Sequence, residues 1–256
     1  MILDEIVETK RREVAVRKEA IPLHSLAKTA EKMPPARDFK AALGAGCAIV
    51  AEVKRRSPSR GLLRADFDPV RIAREYESHG VAAVSVLTDR TFFGGCDADL
   101  AAVKGAVTLP VLRKEFIVDP YQICESLAIG ADAILLIAAI LTEKQLREYR
   151  DLAALLGMAS LVEIHDRKEL EMALSAGAEI IGINNRDLKT FVTDIRTSVN
   201  LARLIPENRL AVSESGIRSR TEIETLLKAG IRGFLIGETL ISAPEIGLKL
   251  EELLGK

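Results

Sequence analysis

Two lysines and three glutamates stand where short apolar segments give way to polar loops: Glu52 and Lys54 in AIVAEVK, Lys114 in LPVLRK, Glu163 in ASLVE and Glu214 in LAVSE. Asn184 ends another such segment, EIIGIN. Ammonium and carboxylate groups gathered together shift one another's pKa values, which is what proton transfer near neutrality requires. A structural ion-pair network would gather the same groups, so the chemistry depends on whether a fold aims them at one cavity.

Such a fold is written in the internal repeats. HGVAAVSVL, IGADAILLI, AGAEIIGIN and AGIRGFLIG each join a small-residue turn to an apolar strand, and their glycines Gly80, Gly130, Gly177 and Gly230 are 50, 47 and 53 residues apart. A period near 50 is two βα units of roughly 25 residues each, so four markers give eight units. The predicted strands are 48–54, 82–88, 109–114, 132–137, 159–163, 179–184, 210–214 and 233–237, all short and largely apolar as parallel strands buried on both faces should be. Glu143 to Leu156 and Arg220 to Ala229 read as amphipathic helices between them.

Eight βα units predict an α/β chain of the (βα)8 TIM-barrel class; the rival, an open doubly wound sheet, lacks a GxGxxG turn after its first strand. In the barrel, strand C-terminal ends form one mouth, and residues two apart face the same side, so all six groups converge there. Residues 1–47 form a helical extension with Leu3, Ile6, Val7 and Val14 on one apolar face, broken into helix and connector at Pro34-Pro35. The expected organisation is one domain over 1–256, with barrel 48–256 and the extension as a cap.

After strand seven comes SESGI with Ser215 and Gly216, and strand eight runs into LIGET with Gly237. Loops after strands seven and eight hold phosphate in many barrels, and glycine lets the backbone approach an anion. With Ser57-Pro-Ser59 after strand one, these point to a small phosphorylated substrate. The totals exclude other classes: Lys+Arg 36 against Asp+Glu 37 leaves no basic excess for nucleic acid. The longest apolar run, Ala133 to Leu141, is far shorter than the roughly 20 residues of a membrane helix. No secretory leader is visible, and Cys47, Cys96 and Cys124 lack metal or disulfide spacing, so a cytoplasmic protein without metal is expected. His24, His79 and His165 are far apart and read as isolated surface or core residues.

Together AEVKRRSPSRG, LRKEFIVDPYQI, LVEIHD, GINNRDLKTF, SESGI and FLIGETL resemble the indole-3-glycerol-phosphate synthase family, and the resemblance runs from ILDEIVETKRREV to the end. It implies closure of 1-(2-carboxyphenylamino)-1-deoxyribulose 5-phosphate to indole-3-glycerol phosphate with loss of CO2 and water and no cofactor; a monomer is expected, with room for contacts to other enzymes of the pathway. By motif it makes Lys114 the general acid, while Lys54 contacts the substrate carboxylate and is a candidate acid in dehydration. Glu163 becomes the base or iminium stabiliser, Glu52 its orienting partner and Glu214 a second acidic group. Asn184 and Arg186 contact substrate, and Phe93 and Phe116 wall the aromatic ring, with Phe92 split between wall and core. Ser57, Ser215, Gly216, Gly237 and Glu238 grip phosphate. Cys96 departs from the serine common in the family. Alternatives are another sugar-phosphate barrel, either an isomerase or an aldolase with Lys114 or Lys54 as Schiff-base nucleophile, and a ligand-binding scaffold.

Overall fold

Strands buried on both faces and separated by helices pair in parallel, each return passing over the sheet on the same hand, and eight such steps close on themselves. In the computed structural model, which describes residues 2–44, 46–187 and 190–256, they do so. Met1, Ala45, and Leu188 and Lys189 of the GINNRDLKTF segment lie outside the described residues. The extension holds α1 (Ile2–Ala20), α2 (Leu23–Ala30) and α3 (Phe39–Leu43). Then come β1 (Ala48–Val53), a hairpin of β2 (Arg56–Ser57) and β3 (Gly61–Leu62), α4 (Pro69–Ser78), β4 (Ala83–Leu87), α5 (Asp97–Ala106), β5 (Val111–Lys114), α6 (Pro120–Ala128) and β6 (Ala133–Ile137). The second half follows with α7 (Glu143–Leu155), β7 (Ala159–Ile164), α8 (Arg167–Ser175), β8 (Ile180–Asn184), α9 (Arg196–Ala202), β9 (Leu210–Glu214), α10 (Arg220–Lys228), β10 (Gly233–Ile236), α11 (Glu238–Ile241) and α12 (Ile246–Leu254). The closed order is β1-β10-β9-β8-β7-β6-β5-β4, every pair parallel.

Barrel strands match their predicted spans to within two residues. The largest difference is at β5, which begins at Val111 because Pro110 has no N–H to give the ladder. Gly80, Gly130, Gly177 and Gly230 all take positive φ just past their helices, the conformation in which a glycine ends a helix cheaply.

Alternation divides the core in two. Ile49, Ala51 and Val53 of β1 pack outward against the helices, while Ala48 and Val50 pack inward with Leu112, Leu135, Leu161, Val212 and Leu235. Phe39 and Leu43 of α3 join this inner cluster beside Ala48, closing the N-terminal end of the barrel. The extension therefore contains two helices beyond the expected one: Pro22 stands at the N-cap of α2 after α1 has ended, and α3 follows the connector that holds Pro34-Pro35. Among the described residues no helix is long and apolar enough to cross a membrane.

The other end is covered by α1, whose Ile2, Leu3 and Ile6 line the mouth. Its apolar face carries one exception, Lys10, placed four residues from both Ile6 and Val14 and wholly buried. The Lys10 ammonium lies 2.7 Å from Glu13, 3.1 Å from Asp89 beyond β4 and 3.1 Å from Glu115 beyond β5. Burial alone would lower its pKa, but the three carboxylates raise it above the ordinary lysine value. Asp89 in turn accepts from the Phe92 and Phe93 amides at 2.7 and 3.1 Å, and Glu115 from the Phe116 amide at 2.8 Å. One cation thus joins the covering helix to both phenylalanine loops. Cys96 occupies the N-cap of α5 and makes no side-chain capping bond, so the residue that departs from the family pattern leaves that helix start uncapped.

Replacing Lys10 by Met keeps the stem but strands Asp89 and Glu115 as buried unpaired charges. Breaking one side of a buried ion pair in this way costs about 3–5 kcal/mol. Urea unfolding of K10M should show that loss; an unchanged midpoint would remove Lys10 as the tie between α1 and the barrel.

Candidate active site

The inward-facing set of each strand continues upward from apolar to polar. After Ala48 and Val50 comes Glu52, after Leu112 Lys114, after Leu161 Glu163, after Gly182 Asn184 and after Val212 Glu214, with Lys54 two residues beyond Glu52. All six line one cleft with Arg186, Phe93, Phe116, Ser215, Gly216, Gly237 and Glu238. Ser57 does not line it. Its side chain is buried in the β2–β3 hairpin 3.4 Å from the Ser59 hydroxyl, and Pro58 and Ser59 face the cleft instead. Phe92 is likewise off the lining, whereas Phe93 and Phe116 stack obliquely with ring centres 5.9 Å apart.

Lys114 is suspended between two carboxylates, 3.0 Å from Glu163 and 3.1 Å from Glu214. Burial pulls its pKa down, but Glu163, Glu214 and Glu52 more than reverse this, so the ammonium is firmly held. A Schiff-base nucleophile needs the neutral amine, which this setting disfavours. Lys54 makes a separate pair with Glu52 at 2.5 Å.

The two carboxylates around Lys114 diverge. Burial raises the Glu163 pKa, yet Lys114, His165 and the Asn184 side chain bring it down to about 2. Glu214 feels the same Lys114, but burial and the negative charges of Glu163 and Glu52 push it up to about 7. The two titrate as a coupled pair, with Glu163 driven below and Glu214 above the ordinary carboxylate range. Gly182 makes this crowding possible, since a Cβ there would overlap the Glu214 carboxylate.

His165 belongs to the cluster after all. Its Nε2 is buried 3.5 Å from Glu163, and its Nδ1 lies 3.0 Å from Glu169, whose carboxylate also accepts from the His165 amide at 2.7 Å. Burial lowers the imidazole pKa, while Glu169, Glu163 and Glu214 raise it to a net value above the ordinary one. Spacing two residues past Glu163 was the available signal, but β7 ends at Ile164, so the side chain leaves the barrel wall between loops.

The opposite wall is made of two turns. Ser215 has φ 66° and Gly216 φ 79°, a left-handed pair in which the serine is strained. A Cβ on Gly216 would run into the Thr193 methyl. Gly237 has a different reason to be glycine: its φ is −119°, and a Cβ would fall on the Glu52 carboxylate. Glu238 is engaged by Arg60 at 3.0 Å and Arg186 at 3.2 Å, and Arg186 also donates to Ser59 at 3.1 Å. The loops after β1, β8 and β10 are thereby clasped together over the cleft.

A closed (βα)8 barrel whose mouth gathers coupled lysines and carboxylates, two stacked phenylalanines and a glycine turn has the architecture of an enzyme with a small-molecule cleft. The family model for indole-3-glycerol phosphate synthase matches residues 3–253. Similar proteins of that name come from Alkaliphilus metalliredigens, 49% identical over 99% of this chain and 98% of its own, and from Pelodictyon phaeoclathratiforme, 50% identical over 96% and 97%. The chain belongs to the indole-3-glycerol phosphate synthase family, whose members are carbon-carbon lyases of tryptophan biosynthesis. Among solved structures, a thiamine phosphate pyrophosphorylase from Pyrococcus furiosus superposes with TM-score 0.61 at 15% identity, over 81% of this chain and 94% of that one, a likeness of fold alone.

The Glu214 pKa gives a sign to the pH dependence of stability. A carboxyl raised from 4.5 to about 7 on folding binds its proton more tightly in the native state. Its stabilising contribution is full below its ordinary pKa and disappears as pH climbs through about 7. E214Q cannot ionise, so its stability relative to wild type should rise between about pH 5 and about pH 8. Parallel denaturant curves across that range would show a flat difference if Glu214 were ionised throughout.

Proposed function

We propose that this cleft closes 1-(2-carboxyphenylamino)-1-deoxyribulose 5-phosphate to indole-3-glycerol phosphate, releasing CO2 and water, and that the array around Lys114 manages the protons. The observation that carries the reading is Lys114 held charged between Glu163 and Glu214, with Phe93 and Phe116 on one side and the Ser215–Gly216 turn on the other. The anthranilate ring lies against the phenylalanines and the phosphate against the turn. Lys114 then faces the ketone between them.

Ring closure joins the aromatic carbon bearing the carboxylate to the ketone carbon. The carbonyl oxygen gains electrons and takes the Lys114 proton, a step whose barrier falls because the ammonium meets charge as it develops. Lys54, paired to Glu52, meets the substrate carboxylate and holds it until the carbon–carbon bond to CO2 breaks and its electrons return to the ring. Dehydration removes the new hydroxyl as water, with Lys54 or the Glu214 carboxyl as proton donor. Glu163, kept anionic, stabilises the cationic nitrogen and accepts the proton lost on aromatisation, with Asn184 fixing its orientation. Arg186 and Glu238 hold the loops over the bound substrate. Free Cys47, Cys96 and Cys124 support a cytoplasmic setting.

Indole-product fluorescence after addition of this substrate to chelator-treated protein tests the reaction itself. Lys114→Ala should lower kcat by about 10²–10⁴-fold, the usual worth of a positioned acid, with a far smaller effect on KM. A loss confined to KM would reject that role. Gly216→Val, which puts a branched side chain against Thr193, should chiefly raise KM; an unchanged KM would count against phosphate at the turn.

A further inference from the structure

Ser215 sits in a backbone conformation that L residues rarely adopt, and something must hold it there. Directly behind the turn lies Asn185, the neighbour of a proposed site residue but not part of the cleft lining, and almost fully buried. Its Nδ2 donates to the Ser215 carbonyl at 3.0 Å and to the Ser213 hydroxyl at 2.9 Å. Its Oδ1 accepts from the Ser198 amide at 3.1 Å and the Ser198 hydroxyl at 2.7 Å. The amide cannot be turned over, because the Ser198 N–H demands an acceptor and the Ser215 carbonyl demands a donor.

The two serine hydroxyls are 2.7 Å apart, which closes a directional ring. Asn185 donates to Ser213, Ser213 to Ser198, and Ser198 back to Asn185, each bond polarising the next. The main chain of Asn185 is fixed as well, its N–H donating to the Glu214 carbonyl at 2.9 Å and its carbonyl accepting from the Asp194 amide at 3.0 Å. The side chain has no remaining freedom.

In a trans peptide the C=O and the following N–H point in opposite directions. Holding the Ser215 carbonyl toward Asn185 therefore turns the Gly216 N–H away from it, toward the cleft that Ser215 and Gly216 line. We propose that Asn185 is a positioning residue that holds the Ser215–Gly216 turn in its anion-receiving conformation, setting affinity for the substrate phosphate without touching it. The inference rests on the reading of that turn as the phosphate grip. It assigns to the second asparagine of the NNRD motif a task distinct from that of Asn184, which faces Glu163.

The test uses the full chain as wild type, N185A, S198A, S215G and N185A/S215G, with substrate turnover and competitive inhibition by inorganic phosphate as readouts. N185A should raise KM and the phosphate inhibition constant together by about tenfold, the scale of one lost buried hydrogen bond, while kcat changes by less than about threefold. S198A breaks the ring but leaves the bond to Ser215, so it should lower thermal stability with KM within about twofold of wild type. Glycine adopts the left-handed turn freely, so in the S215G background the N185A effect should shrink below about threefold. N185D, which keeps the Ser198 acceptor but has no proton for the Ser215 carbonyl, reads the same bond should N185A not fold. An equal rise in KM for S198A, or an undiminished N185A effect in S215G, would overturn the assignment to Asn185. Failure of phosphate to compete in the wild type would overturn the phosphate reading and the inference with it.

Discussion

A barrel mouth that holds two lysines and three glutamates must pair every charge across strands, because ions withdrawn from water are tolerated only with partners. Lys114 shows how strictly this binds the structure. Its carboxylates come from β7 and β9, 49 and 100 residues farther along the chain, and reach it only if the barrel closes with each inward position in register. Slipping one strand by a residue would turn its charged end outward among the helices and an apolar side chain into the site. The register that builds the apolar layers below is thus the one that assembles the chemistry above.

The same economy appears outside the barrel wall. Lys10 is held by three carboxylates and Lys114 by two, and the sets are separate, with Glu115 the one Lys10 partner that also lines the cleft. What Lys10 sets is the position of α1 across the mouth and of the loops that carry Phe93 and Phe116. Asn185 stands in a comparable relation to Ser215 on the opposite wall. Both walls of the cleft are therefore fixed from behind by buried polar groups, Lys10 through ion pairs and Asn185 through hydrogen bonds.

The barrel was legible because its signal repeats: a glycine turn and a short apolar strand recur often enough to outweigh uncertainty at any one of them. Groups at strand ends were legible for the same reason, since period-two alternation carries Glu52, Lys114, Glu163, Asn184 and Glu214 inward once the strands are known. Side chains leaving from loops or helices were not. His165 follows the last residue of β7, and its approach to Glu163 depends on a turn with no period to extrapolate. The Ser57 hydroxyl shows the same limit: the hairpin pairing Ser57 with Gly61 buries the side chain and places Pro58 and Ser59 on the lining. Lys10 did leave a trace, a charged residue in an apolar stripe, but its partners lie about 80 and 105 residues away and only closure of the fold reveals them.

Crowding sets the protonation of the site and also makes it costly. Glu163 and Glu214 cannot both ionise freely around one ammonium, so one is driven down and the other up, the separation that an acid and a base side by side would need. A second cation beside Glu214 would favour its charged form and remove the asymmetry between the two carboxylates. Gly182 and Gly237 reflect the same choice, each omitting a side chain so that a carboxylate can occupy its space. The apolar layers beneath and the buried polar ties behind supply the stability that this unbalanced layer withholds.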